Sequence, residues 1–398
     1  MKYSIFRGCS PRFLKKGRSL FAAALSALVC STAHAGPPLV GSNKWSVVNN
    51  VAQVNGQDFM PLGIYYVSFY KSEDAARLID IEKVANAGFN MFATPLKLSD
   101  KGLLDKAASL GLYTMAEFNY DPTTIINMVK PLPTHSMFLS WDDVDEPNSA
   151  GVRLTRDKVI ADTTALKAKD PTALTFITAF SNQYSKNYAG IADAYCYQVY
   201  PVPNEPLSSV TYNLRLHLAG AAGYSQVNTA CLQTYAYSGV RMPTAEEVRN
   251  MTYQAFILGM KGMFYYTYYD GGSYLNNYPT LWSGISRVVK EVDSLKPFFL
   301  RGARTELSTG NSLVTAAQFL HKGRLMMVVA NTTNSSYSIN LRPTVPVNTT
   351  ARNVFLSRPG GLSVVSGALK GVVPARAVMV YELTPSSTTA TSGTKTIF

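Results

Sequence analysis

Charged side chains are scarce in this chain of 398 residues: Asp, Glu, Lys and Arg together make up 16%. Histidine and cysteine are scarcer still, with four of each. Of these, Cys9, Cys30 and His34 fall in an N-terminal leader, leaving His135, His217, His321, Cys196 and Cys231 for the folded protein. No His/Cys cluster has metal-ligand spacing, and three scattered histidines give little support to a Ser-His-Asp triad. No glycine-rich phosphate loop follows any predicted strand, which argues against a doubly wound nucleotide-binding sheet. Neither a metal nor another cofactor is expected.

The leader is read from its own pattern. Lys2, Arg7, Arg12, Lys15, Lys16 and Arg18 form a basic region, residues 20–29 an apolar one, and Ala33-His34-Ala35 fits a small-x-small cleavage site. Residues 1–35 are therefore expected to be a cleaved signal peptide, and the protein to be secreted or periplasmic. The apolar run is too short to span a bilayer, and bulky Leu28 and Val29 before Cys30 argue against a lipoprotein. The leader carries six basic residues and no acid, so its loss takes the formal charge from +12 to +6. That balance suits an anionic polysaccharide or cell surface and is no nucleic-acid footprint. Cys196 and Cys231 each precede a glutamine by two residues (Gln198, Gln233), so one level of a sheet is expected for them. Neighbouring parallel strands rarely give disulfide geometry, and buried thiols are the expectation.

Along residues 45–299 strand-like and helix-like segments alternate. A hairpin over 45–59, turning at Asn55-Gly56, leads into an apolar strand at 61–67. Further strands are predicted at 90–95, 112–119, 137–141, 174–180, 194–200, 228–235 and 262–269, with helices between them. Thr244-Ala245-Glu246-Glu247 is a capping box that opens one of these helices. Eight strands with helical crossovers predict an α/β fold, a (β/α)8 TIM barrel. Residues 300–384 change texture to short alternating runs broken by Gly, Asn and Pro, which predicts a small C-terminal all-β sandwich. The Ser/Thr-rich stretch 385–398 reads as a disordered tail.

Barrel enzymes carry their chemistry on the carboxyl ends of the strands. In that position Trp141-Asp142-Asp143-Val144-Asp145-Glu146-Pro147 packs four carboxylates into seven residues of a charge-poor chain. Crowded carboxylates raise one another's pKa values, which fits one of them to be a general acid. Glu146, stopped by Pro147, is the leading catalytic candidate, and Asp142 shares its strand parity. Asp270, followed by Gly271-Gly272, is a second catalytic candidate and equally fits a plain turn. Tyr66, Glu117, Asn119, Asp142, Tyr200, Gln233, Tyr235 and Tyr268 complete the candidate substrate-binding rim. Tyrosine suits sugars because its flat ring meets their apolar faces while its hydroxyl hydrogen-bonds their edges.

The sequence Phe59-Met60-Pro61-Leu62-Gly63-Ile64-Tyr65-Tyr66, the Trp141-to-Pro147 run and Gly259-Met260-Lys261-Gly262-Met263-Phe264-Tyr265-Tyr266 resemble the clan A glycoside hydrolases, the cellulase and β-galactosidase-like (β/α)8 superfamily. The likeness covers about residues 45–384. It implies a secreted hydrolase of a polysaccharide or oligosaccharide, with Glu146 as general acid/base. Two positions depart from the clan pattern: Asp145 replaces the usual Asn before this Glu, and Gln233 stands where the nucleophilic Glu of the seventh strand belongs. An amide cannot form a glycosyl ester. Either Asp270 or Glu117 supplies the second carboxylate, or the reaction inverts configuration around a water, or the barrel binds glycans without cleaving them.

Overall fold

The computed structural model describes residues 43–66, 74–95, 101–117, 138–145, 147–149, 152–169, 171, 174–179, 185–270, 273–358 and 360–386. The chain from Gly36 onward forms one compact unit. It opens with an antiparallel sheet of β1 (Trp45–Val48), β2 (Val51–Val54) and β3 (Gln57–Phe59). Eight parallel strands follow: β4 (Leu62–Tyr66), β5 (Met91–Pro95), β6 (Tyr113–Glu117), β7 (Phe138–Asp145), β10 (Leu174–Ala179), β11 (Ala194–Val199), β12 (Val227–Gln233) and β13 (Met263–Asp270). The two-residue strands β8 (Asn148–Ser149) and β9 (Val152–Arg153) lie between β7 and β10. Each parallel strand pairs with the next, and β13 pairs back onto β4, so the sheet closes into the expected barrel.

Strand alternation sorts the side chains into two layers. Tyr65, Met91, Ala93, Tyr113, Met115, Phe176, Cys196, Cys231 and Phe264 fill the lumen. Gly63 sits opposite Phe264 in register, and a Cβ there would lie 2.3 Å from that ring, so the glycine makes room for the lumen's central aromatic. The hairpin plugs the amino end: Trp45, Phe59 and Tyr113 meet edge to face at 5.2–5.4 Å. Residues of opposite parity pack outward on the helices α1 (Asp74–Asn86), α2 (Lys101–Ser109), α3 (Arg156–Lys169), α4 (Ser185–Tyr188), α5 (Ser209–Gly220), α6 (Ala245–Leu258) and α7 (Pro279–Ser294). Among them His217 of α5 is fully buried between Tyr195 and Tyr197, and burial pushes its pKa down to about 3.

Cys196 and Cys231 are buried thiols with no disulfide between them, as expected. The two are not level, however: Cys231 pairs with Gln198 and Cys196 with Thr229, an offset of two residues between the strands. β7 also differs from expectation, running through Asp145 instead of ending near Trp141. Its neighbour β10 continues alongside, and a bulge at Asp143 separates the Asp142–Phe176 pair from the Val144–Ile177 pair. A simple two-residue count from Asp142 to Glu146 therefore does not hold across this strand.

Helix α8 (Lys296–Arg301) leads into the C-terminal β-structure. There β15 (Ala303–Leu307), β16 (Val314–His321), β17 (Arg324–Asn331), β19 (Val347–Asn353) and β22 (Val378–Pro385) form a five-stranded antiparallel sheet. β18 (Tyr337–Leu341), β20 (Ser363–Val365) and β21 (Ala368–Val373) form a three-stranded one. Ala316, Met327, Val329 and Met379 meet the small sheet, whereas Ala317, Phe319, Val328 and Val380 join the barrel's outer layer. The strands β16, β17 and β22 of the large sheet are thus buried on both faces.

Helix α6 lies at this junction, with Thr244 and Glu247 forming the capping box read from the sequence. Glu247, 2% exposed, holds Arg241 and also Arg376 of the β-structure. Behind it Glu291 of α7 accepts from Arg249 and Arg358 at 2.7 Å each, and Arg249 also donates to the Val378 carbonyl at 2.8 Å. Removing one partner of so buried a charge set leaves the others uncompensated. Glu291→Ala is expected to lower unfolding free energy by roughly 3–5 kcal/mol, read by denaturant titration.

Acid should destabilise the protein in two steps. A histidine with a lowered folded pKa favours the unfolded state as pH drops from 6.5 towards 3. At Glu247 burial works to raise the pKa, but the bonds from Arg241 and Thr244 and the Arg241 and Arg376 charges outweigh it and leave the pKa below 4.5. The Glu247 contribution is therefore complete above 4.5 and lost as pH falls through the folded value. His217→Leu should flatten the thermal-stability profile between pH 6.5 and 4.5 and leave the steeper decline below it.

Candidate active site

The carboxyl ends of the barrel strands form a mouth floored by tyrosines. Tyr65 crosses the lumen from β4 to β10 on the opposite wall, its hydroxyl 3.1 Å from Thr178 Oγ1. Above it Tyr200, Tyr235 and Tyr266 contact one another, with ring centroids 5.2–6.0 Å apart and the Tyr235 pairs edge to face. Tyr266 also meets Tyr65 at 5.7 Å, and Tyr237 extends the group at 6.0 Å from Tyr235. Tyr200, Tyr235, Tyr237 and Tyr266 are each half-buried, keeping ring surface open to the mouth. The Tyr200 hydroxyl points down to Cys231 Sγ at 3.4 Å. Burial, followed by the neighbouring Cys231, holds its pKa well above the phenolic range, so it stays a neutral donor or acceptor.

Gln233 is what holds these rings in place. It is fully buried, and its carboxamide makes three bonds to backbone. Oε1 accepts from the Val202 N–H at 2.8 Å, while Nε2 donates to the Val202 carbonyl at 2.6 Å and to the Tyr235 carbonyl at 3.0 Å. The amide therefore clamps the segment just after Tyr200 to the segment carrying Tyr235. Only a group with both a donor and an acceptor can do this; an ionised carboxylate would face two carbonyls with no proton to offer. Gln233, placed on the sugar-binding rim by sequence reasoning, is accordingly a buried positioning residue beneath it.

The other sequence candidates fall in different places. Tyr268 is fully buried on the helix side of the barrel, donating to Asp80 of α1 at 3.3 Å and Asn276 at 2.9 Å, so its rim placement is corrected. Tyr197, against His217, is on the same outer side. Strand parity changes near the end of β13, where the pairing with β4 shifts between Tyr265 and Tyr269. That shift hides Tyr266 from a rim count while promoting Tyr268. Thr267 bridges the irregularity, donating to the Tyr65 carbonyl at 2.8 Å. Asp270 is half-buried at the end of β13, paired with Ser273 of the short strand β14 (Ser273–Tyr274). The backbones of Glu117 and Asp142 are paired across β6 and β7, and Tyr66 pairs with Tyr269. Glu146 and Asn119 lie outside the described residues.

No protein-family model matches this chain, and no curated protein is similar to it in sequence. Solved structures are similar in fold. A glycoside hydrolase family 5 protein from Bacteroides vulgatus superposes with a TM-score of 0.63 at 10% identity, over 86% of this chain and 93% of its own. A structure described as a glycoside hydrolase gives 0.62 at 14% identity, over 86% and 97%. An α-amylase from Geobacillus thermoleovorans, solved with acarbose, gives 0.55 at 11% identity, over 83% and 98%. This chain thus shares its fold with these solved structures.

Gln233→Glu tests the clamp. The substitution is expected to cost about 2–4 kcal/mol at neutral pH, the penalty for a buried polar group losing its partners. It should recover part of that loss on acidification, because the neutral acid regains one donor. Thermal melts that match the wild type at pH 7 would contradict the assignment.

Proposed function

We propose that this chain is an exported glycoside hydrolase acting on a polysaccharide or oligosaccharide at the barrel mouth. The observation that carries the reading is the half-buried tyrosine group at the carboxyl ends of the strands, within a fold shared with glycoside hydrolases. The half-exposed rings of Tyr200, Tyr235, Tyr237 and Tyr266 meet sugar faces, and the hydroxyls of Tyr235, Tyr237 and Tyr266 bond sugar edges, that of Tyr200 being turned to Cys231. Glu146 is the general acid of this proposal. It gives its proton to the leaving glycosidic oxygen as the C1–O bond breaks, and water adds to C1 from the opposite face. Asp270 takes the proton from that water.

The clamp at Gln233 favours this single displacement over a double one, since the amide cannot form a covalent glycosyl intermediate. The same amide favours a second reading, a barrel that binds glycans and does not cleave them. Residues 1–35 direct export in either case.

Wild type and Glu146→Gln, screened against a polysaccharide panel by reducing-end release and by affinity electrophoresis, separate these readings. Cleavage by the wild type, lowered at least 10³-fold in the variant with retention unchanged, is the expected result. Retention without cleavage in both proteins would establish the binding module. Equal cleavage by both would remove Glu146 from the mechanism.

A further inference from the structure

Charge is divided unevenly along the chain. Residues 36–299 carry 21 basic and 23 acidic side chains, whereas residues 300–384 carry nine basic and two acidic. The positive charge that remains without the leader therefore lies beyond the barrel, and no acid occurs between Glu306 and Glu382. Most of these cations are committed. Arg301 binds Asp58, and Arg358 and Arg376 hold Glu291 and Glu247 of the barrel helices. Glu306 and Glu382 each serve two arginines, the first Arg215 and Arg304, the second Arg324 and Arg352. Among the described residues Lys322, Arg342 and Lys370 meet no carboxylate. Lys322 sits in the β16–β17 turn, but Arg342 and Lys370 share the outer face of the small sheet. Ile339, Leu341, Leu369 and Val373 turn inward to the large sheet, so alternation turns Ser338, Asn340, Lys370 and Val372 outward. Asn340, Lys370 and Ser363 stand in register across β18, β21 and β20, a polar row with neighbours about 4.8 Å apart. Arg342 lies two residues beyond Asn340, and a Cβ on Gly367 would be 3.7 Å from its Nη1, beside the β20–β21 turn. Ser338, Asn340, Arg342 and Ser363 are exposed, and Lys370 is half-buried.

We propose that this outer face docks a carboxylated polysaccharide, a polyuronate chain, independently of any cleavage at the barrel mouth. Charge complementarity sets the class: a guanidinium and an ammonium stand on one face with no acid beside them. The guanidinium takes a carboxylate through two parallel bonds, and the ammonium takes another as a point charge. Beside them the Asn340 amide and the Ser338 and Ser363 hydroxyls offer donors and acceptors that match sugar hydroxyls. Among the described residues the face carries no aromatic ring, so it lacks a platform on which nucleic-acid bases or neutral sugars stack. Val365 and Val372 are 47% and 51% exposed there. Neither has the reach of the Trp, Phe or Leu that anchors a protein in a lipid surface. A polyuronate needs neither stacking nor insertion, and it repeats carboxylates and hydroxyls along its length.

Biolayer interferometry of the whole protein on immobilised polygalacturonate and alginate tests the face. Binding to at least one of them is expected, weakening as salt rises from about 50 to 200 mM. Arg342→Gln and Lys370→Gln should each weaken it about fivefold, and the double variant should lose it. Melting temperatures should stay unchanged, because neither side chain has a carboxylate partner to lose. Lys44→Gln combined with Lys290→Gln removes the same net charge from exposed positions elsewhere and should bind as the wild type does. Equal loss in that control would reduce the effect to net charge and overturn the proposal. So would unchanged binding in the Arg342/Lys370 double variant, or no binding to either polyuronate. Tighter binding to duplex DNA or to phosphatidylcholine–phosphatidylserine vesicles, lost with the same two substitutions, would assign the face another partner and overturn it. Tyr200→Ala should leave binding intact; a loss there would place the polymer in the mouth instead. Hydrolysis takes no part in this readout, so failure of the docking face and failure of the proposed activity are seen separately.

Discussion

The buried carboxamide of Gln233 is the constraint on which the mouth of this barrel depends. It spends both ends of one side chain on backbone, joining the chain after β11 to the chain after β12. Those segments carry Tyr200 and Tyr235, whose rings rest on Tyr266 and, through it, on Tyr65. The same residue thus orders an aromatic floor and, under the proposed hydrolase reading, stands where a covalent nucleophile would otherwise act. Structure and proposed chemistry are coupled here: an acid introduced at this point would loosen the tyrosine surface proposed to bind the sugar.

Below the mouth the barrel is closed. Tyr65 spans the lumen, Phe264 fills its middle opposite Gly63, and the hairpin aromatics seal the amino end. Among the described residues, these side chains fill the lumen below the carboxyl ends of the strands. Outside, α6 ties barrel to β-structure through two buried carboxylates, Glu247 and Glu291, each shared between arginines from different parts of the chain. Such sets contribute through specificity of docking more than through net Coulomb energy, since burying the charges offsets much of their attraction. They tie the β-structure to helices α6 and α7.

The barrel was legible in the sequence because parallel strands buried on both faces read as short apolar runs separated by helix-length segments. The capping box at Thr244 and the buried thiols were legible for equally local reasons. Three strands of the β-structure were not: β15 is exposed along most of its length and polar, β20 is only three residues long, and β21 is broken in its middle by Lys370 and Gly371. At the site, Tyr200 and Tyr235 could be found by counting to strand ends. Tyr266 and Tyr268 could not be told apart, because the shift in β13 pairing reverses parity there, and the bulge at Asp143 does the same in β7. Gln233 was visible as a departure from the clan pattern. Its purpose was not, since the partners that explain an amide, Val202 and Tyr235, are brought to it only by the closed sheet.

The stereochemistry of the first-formed product is the most direct test of the central claim, that an amide-clamped seventh strand leaves this barrel a single displacement. Proton NMR of the anomeric signals, followed from the start of cleavage before mutarotation, reads it on the unmodified protein. Inverted configuration at C1 is the result this account predicts. Retained configuration would require a covalent glycosyl intermediate on a carboxylate elsewhere in the mouth, and would contradict it.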